Sequence, residues 1–189
     1  MKKRRTWLIG VDEAGRGPLA GPVTLGIIAC PKKSARRLFA GIRDSKRLSP
    51  KAREEWFRKF SARTEIFYYV TSVGPSIIDR YGISSAIKKG ISRLLKKAPR
   101  GEILLDGSLK APDRYFQKTI IRGDERVPII AAASVVAKVV RDRKMVRLAK
   151  KFPLYGFEIH KGYGTELHRE CIKKHGLSDV HRRSFCKAF

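Results

Sequence analysis

The sequence predicts an α/β protein, a mixed sheet flanked by helices. Three observations carry that prediction. Short apolar runs rich in β-branched residues alternate with longer stretches of helical spacing. Hydrophobic residues are 42% of the 189 and charged residues 32%, enough to close a core and too apolar for global disorder. No segment is rich enough in Pro, Gly or Ser to demand a linker. Residues 1–189 are therefore expected as a single domain, with residues 152–189 as a C-terminal extension packed on it.

The elements follow in chain order. Residues 6–11 form a short apolar run, read as a buried strand. Residues 21–30 give a second strand after a Gly/Pro-rich turn, and residues 34–48 read as loops with a short helix. Ser49 and Pro50 form a helix start, with Ser as the cap and Pro in the first turn, and that helix should run to about residue 63. Residues 65–73, rich in Ile, Phe, Tyr, Val and Thr, predict a strand. Residues 75–79 and 84–97 predict two helices; in the second, Ile87, Ile91, Leu94 and Leu95 keep one face apolar. Residues 102–106 and 117–122 predict two more strands. Residues 127–150 predict a long helix, Ala-rich early and basic late. The tail is irregular, with a helix over 165–175.

Charge narrows the function. Lys plus Arg is 43 and Asp plus Glu is 17, a net +26, which favours a polyanionic partner. No stretch approaches the ~18 apolar residues that a membrane helix needs. No secretory signal is expected, because residues 7–11 meet Asp12 and Glu13 before an apolar core of signal length forms. Cys30, Cys171 and Cys186 are an odd, scattered set, as in a reducing compartment, so a cytoplasmic protein is expected. The four histidines show no zinc spacing, and no histidine metal site is expected.

In so basic a chain, carboxylates at strand ends need a reason. Asp12 and Glu13 end the first strand, Asp106 ends the fourth, and Asp124 follows the fifth just past Gly123. Strand ends on one edge of an α/β sheet are the usual place for a site. Gathering like charges there costs energy unless cations neutralise them. Mg²⁺ takes oxygen ligands, and two such ions ~3.5–4 Å apart can clamp the attacking and leaving oxygens of a phosphodiester. Neighbours in a strand point to opposite faces, so Asp12 and Glu13 share a site only if the strand breaks there. The run Ala14-Gly15-Arg16-Gly17-Pro18 is expected to break it at once and let Glu13 turn back. The glycines also leave backbone N–H groups open to a phosphate or hydroxyl.

The run from Gly10 to Val23, with Asp12-Glu13-Ala14-Gly15-Arg16-Gly17 at its centre, resembles the opening signature of ribonuclease HII, the type 2 ribonucleases H. The resemblance continues in family order through Asp44-Ser45-Lys46-Arg47-Leu48, Leu104-Leu105-Asp106-Gly107, and Gly123-Asp124 on to Ala131 through Asp142. It closes with Tyr155-Gly156-Phe157, His160-Lys161-Gly162-Tyr163-Gly164-Thr165 and His181-Arg182-Arg183-Ser184-Phe185. It departs around residues 81–86, where the family usually carries an Asn and a Thr; that touches local substrate contacts rather than the acidic cluster.

The resemblance implies a ribonuclease H-like fold: a five-stranded mixed sheet with helices on both faces and a C-terminal helical extension. It implies that Asp12, Glu13, Asp106 and Asp124 bind two divalent ions, Mg²⁺ or Mn²⁺. It implies cleavage 5′ of a ribonucleotide, leaving 3′-hydroxyl and 5′-phosphate ends, in RNA–DNA hybrids and in duplex DNA carrying single ribonucleotides. The partners are those nucleic acids, with no membrane, and a monomer suffices. Selectivity must rest on the 2′-hydroxyl, which the resemblance assigns to Gly15, Arg16 and Gly17, with Tyr163 beside the ribonucleotide junction. Ser45 and Lys46 are expected on backbone phosphates. Asp142 is either a partner of Arg141 or Arg143, or an aid to the ions from outside their ligand set. Two alternatives stay open: an RNA-binding protein without catalysis, and another nuclease of the ribonuclease H fold, of type 1 or transposase-like.

Overall fold

The computed structural model describes residues 6–42 and 48–187. The expected phosphate contacts Ser45 and Lys46 lie outside the described residues. Five strands among these residues form one mixed sheet. They are β1 (Trp7–Ala14), β2 (Val23–Pro31), β3 (Phe67–Val73), β4 (Gly101–Asp106) and β5 (Gln117–Ile120), in the spatial order β3-β2-β1-β4-β5. β1 pairs antiparallel with β2 and parallel with β4; β2–β3 is antiparallel and β4–β5 parallel. The helices are α1 (Ala35–Leu38), α2 (Pro50–Ser61), α3 (Pro75–Leu95), α4 (Gly123–Arg126), α5 (Pro128–Lys151), α6 (Phe157–His160) and α7 (Glu166–His175).

Local chemistry explains the boundaries. The Ser49 hydroxyl accepts from the Ala52 N–H at 3.1 Å and starts α2, and Thr165 caps α7 through the His168 N–H. The two helices expected over 75–79 and 84–97 are the halves of α3, separated at Gly82, whose φ of 78° and ψ of 159° are not helical. One expectation is corrected. β1 does not break at Ala14: Ala14 still pairs with Thr24 of β2, and the chain leaves the strand one residue later, at Gly15.

The sheet is covered on both faces. α3 lies on one side, where Ile9, Val11, Leu25 and Ile27 meet Ile78, Ile87, Ile91 and Leu94. α2 and α5 lie on the other, where Ile28, Phe57 and Phe60 meet Ile129, Ile130, Val135 and Val136. Two glycines let α5 rest directly on the sheet. A Cβ on Gly10 would sit 2.2 Å from the Ile129 carbonyl oxygen, and one on Gly26 would sit 3.0 Å from the backbone of Ala133 and Ala137. The Ala-rich half of α5 is thus set by close approach rather than by propensity alone. A third cluster joins Met145 and Ala149 of α5 to Ala20, Tyr155 and Phe157, and so carries the C-terminal segment back to the loop after β1. Among the described residues no helix is long and apolar enough to cross a membrane.

Candidate active site

Register builds the site. β1 and β4 run parallel with Val11 opposite Leu105, the last pair of that ladder, so the next residues, Asp12 within β1 and Asp106 at the end of β4, lie side by side where the two strands part. β5 ends opposite Asp106, the chain turns through Arg122 in a left-handed conformation, and α4 places Asp124. The Asp124 N–H donates to Asp106 Oδ1 at 3.1 Å. Gly123 permits that approach, since a Cβ there would meet Ile130 Cδ1 at 2.6 Å. Asp12, Asp106 and Asp124 each bring a carboxylate oxygen within 4.8 Å of the others'. Asp12 is 4% exposed and Asp124 1%.

Glu13 joins this group from its rim. Simple alternation along β1 would send its side chain to the face opposite Asp12, yet its carboxylate lies close enough to interact with those of Asp12 and Asp106, and Asp12 and Glu13 line one cavity of about 350 Å³. One carboxylate oxygen lies 3.6 Å from the Arg16 guanidinium; the other is buried without a hydrogen-bond partner. Burial pushes the Asp12 carboxyl well above the usual carboxylate range, and the charges of Glu13 and Asp106 add to it, against a hydrogen bond from Ser134 on α5. Burial also raises Glu13, opposed by Arg16. Buried, mutually repelling oxygens of this kind are a hard-cation donor set, and they fit a divalent ion.

Gly15, Arg16, Gly17, Lys138 and Tyr163 line the same cavity. Gly15 has a φ of +89°, and a Cβ there would lie 1.9 Å from Arg141 Nε, so only glycine fits. Tyr163 is 42% exposed, and the Arg141 guanidinium lies 5.5 Å from its ring. Lys138 and Tyr163 also line an adjoining groove of about 730 Å³ in which the cations Arg53, Arg143, Arg147 and Lys161 outnumber the carboxylates Glu54 and Asp142. The acidic cavity therefore opens onto a cationic channel.

Asp142 is placed differently from either expected partner. Its ion pair is with Lys138, at 3.4 Å, four residues back on α5. Arg143 instead pairs with Glu54, and Arg141 turns to backbone carbonyls of Pro22, Ala20 and Lys161.

Sequence reasoning missed Ser134, Lys138, Arg141, Arg182 and a buried histidine group. Ser134, Lys138, Arg141 and Asp142 recur at helical spacing, a signal hidden by the apolar residues around them. His168 Nδ1–H donates to the Tyr163 carbonyl at 2.9 Å, which leaves its Nε2 to accept from His181 Nε2–H at 3.1 Å. The His181 Nδ1 accepts from the Ser178 N–H. His160 stacks on His168 at 4.3 Å, donates to the Tyr155 carbonyl and accepts from the Gly162 N–H. All three rings are neutral in this network, and burial holds His168 and His181 down to about 4. They fix the backbone on either side of Tyr163.

The sequence model of the ribonuclease HII family matches residues 9–188. A ribonuclease HII of Caldicellulosiruptor bescii is 44% identical over 186 residues, spanning 96% of this chain and 87% of that protein. One of Endomicrobium trichonymphae is 45% identical over 179 residues, spanning 93% and 83%. The crystal structure of the ribonuclease H2 from Pyrococcus horikoshii superposes with a TM-score of 0.75 at 30% identity, covering 94% of this chain and 93% of that one.

Proposed function

The chain belongs to the ribonuclease HII family, metal-dependent endonucleases that hydrolyse RNA paired with DNA, and on that premise we propose which residues do the work and where the strand is cut. In this reading Asp12, Asp106 and Asp124 hold divalent cations, and Glu13 completes the set from the rim. The observation that carries it is the convergence of the three aspartate oxygens within 4.8 Å at the mouth of a cavity. An all-carboxylate donor set favours Mg²⁺ or Mn²⁺ over softer metals. When bound, such ions lower the pKa of a coordinated water and stabilise charge on the departing oxygen.

The remaining residues bind and orient. Gly15, Arg16 and Gly17 present backbone to the ribose, the part of the duplex that differs between RNA and DNA. Tyr163 packs on the sugar at the ribonucleotide junction. Lys138, held by Asp142, offers its cation to the scissile phosphate, and the channel of Arg53, Arg143, Arg147 and Lys161 carries the neighbouring phosphates. The cut then falls on the 5′ side of the ribonucleotide and leaves a 3′-hydroxyl and a 5′-phosphate. Both RNA–DNA hybrids and single ribonucleotides in duplex DNA are substrates.

The test is direct. The protein is incubated with duplex DNA carrying one ribonucleotide, with Mg²⁺ or Mn²⁺, and the cut is mapped to one nucleotide. A single cut 5′ of the ribonucleotide is expected, and none in the all-DNA control. Binding without cleavage under either ion would replace this reading with a non-catalytic RNA binder.

A further inference from the structure

Arg182 is fully buried, yet it belongs neither to the acidic cavity nor to the cationic channel. All three arms of its guanidinium are spent on one loop. Nη2 donates to the Gly15 carbonyl at 2.6 Å, Nη1 to the Arg16 carbonyl at 2.9 Å, and Nε to the Gly21 carbonyl at 3.0 Å. A guanidinium is a rigid planar fork, so it fixes the directions of those carbonyls as well as their positions.

The direction matters on the other side of each peptide. Every described peptide here is trans, and in a trans peptide the N–H points opposite to the C=O. With the Gly15 carbonyl turned to Arg182, the Arg16 N–H faces away from it. With the Arg16 carbonyl turned the same way, the Gly17 N–H does too. Neither N–H makes a hydrogen bond among the described residues. Both residues are exposed, and both line the acidic cavity. Glycines at 15 and 17 leave these peptides free to rotate when nothing holds them. Arg141 does not hold them, since its bonds go to Pro22, Ala20 and Lys161.

We propose that Arg182 is a positioning residue for ribose recognition: by gripping the Gly15 and Arg16 carbonyls it aims the Arg16 and Gly17 N–H groups into the cavity as a paired donor for the 2′-hydroxyl oxygen. This rests on the reading that Gly15–Gly17 faces the ribose. Arg182 is itself anchored from α3. The Asp79 carboxylate accepts from the Arg183 N–H and the Ser184 N–H at 3.0 Å each, and from the Ser184 hydroxyl at 2.5 Å. The Arg182 N–H donates to the Leu19 carbonyl at 2.7 Å, and the Phe185 ring lies 5.2 Å from its guanidinium. Burial brings Arg182 down to about 10, which leaves it charged at neutral pH. The chain from Asp79 through Arg182 to Gly17 thus runs from the outer helix to the substrate.

Two variants test it. Arg182→Lys replaces the fork by a single ammonium, and Asp79→Ala loosens the anchor at a solvent-accessible place, so it keeps the test alive if the first protein fails to fold. Amide resonances of Arg16 and Gly17 are followed while a single-ribonucleotide duplex or its all-DNA counterpart is added, without divalent ions. Single-turnover cleavage is compared for a ribonucleotide and a 2′-fluoro nucleotide at the same position. In wild type the two amides should move with the ribonucleotide duplex only. In Arg182→Lys that response should vanish, and the preference for hydroxyl over fluoro should fall about ten-fold, the value of one well-made hydrogen bond. Asp79→Ala should show a smaller fall in the same ratio, with all-DNA affinity unchanged in both. Equal losses on both nucleotides, or undiminished amide responses in both variants, would overturn the proposal while leaving ribose reading by Gly15–Gly17 intact. Wild-type amides indifferent to the 2′-hydroxyl would overturn that reading and the proposal with it.

Discussion

Two buried charged regions flank the loop from Gly15 to Pro22, and they are resolved in opposite ways. On one side Asp12, Asp106 and Asp124 crowd together, and burial and mutual repulsion raise the Asp12 carboxyl. On the other, Arg141 and Arg182 are buried just as deeply, but six carbonyls from the loop and from Lys161 meet them, all three nitrogens of Arg182 and two of the three of Arg141, whose Nη1 alone is left without a hydrogen bond. A buried charge satisfied from within is a structural clamp. A buried cluster of one sign whose members destabilise each other is built for something from outside, here a divalent ion. The histidine group belongs to the first kind, with every described polar ring contact internal and neutral.

The largest expected effect breaks the acidic side. Asp106→Asn or Asp12→Asn should lower cleavage by more than about 100-fold, beyond what losing a group outside the ligand set costs. Affinity for the duplex should stay close to wild type, because the cationic channel supplies it. The pH sign follows from the raised Asp12 carboxyl. A carboxyl raised by folding costs stability once it is ionised, so without divalent ions Asp12→Asn should melt above wild type at neutral pH. The gap should close below the unfolded-state pKa, near 3.8. Adding Mg²⁺ should raise the melting point of wild type and not of Asp12→Asn. Near-normal turnover of Asp106→Asn at saturating Mg²⁺ would remove it from the catalytic set.

The next effect lies at the boundary between the two regions. Tyr163→Ala should cost about 100-fold in cleavage at a single ribonucleotide, the scale of a ~1 Å misplacement of the reacting phosphate. All-DNA binding should change little, since phosphate contacts come from elsewhere. Tyr163→Phe should fall between, keeping the ring over Arg141. Equal losses of binding on both duplexes with unchanged turnover would make the ring an ordinary surface contact.

The smallest effect sharpens the internal side. A histidine lowered by folding contributes stability above its unfolded pKa and loses it as pH falls through its folded pKa. For His168 and His181 that window runs from 6.5 down to about 4. Acidification across it should lower the melting temperature of wild type more than that of His168→Gln, whose amide cannot take up the proton. Identical slopes would mean that the rings are not buried neutral.

Legibility in the sequence follows the range of the interaction. Strands, the cap at Ser49, the break at Gly82 and the carboxylates at strand ends could be read because propensity, periodicity and turn chemistry act over a few residues. The end of β1 falls one residue beyond the expected break, because the ladder to β2 holds Ala14 before Gly15 turns the chain away. Of the two roles the sequence leaves open for Asp142, the ion pair with a neighbouring Arg141 or Arg143 gives way to one with Lys138, a helix turn away.

The α/β class, the succession of strands along the chain, the acidic residues and, through the resemblance, the family can all be read from the residues alone. What stands behind them follows from contacts between distant parts of the chain. Arg182 meets its carbonyl partners 161 to 167 residues away, and Arg141 meets Pro22 and Ala20 119 and 121 residues away. The physical reason is that a basic side chain in a chain of net charge +26 carries no mark of its destination. Whether an arginine faces solvent, a phosphate or a buried carbonyl is fixed only when burial removes water and distant backbone must take its place.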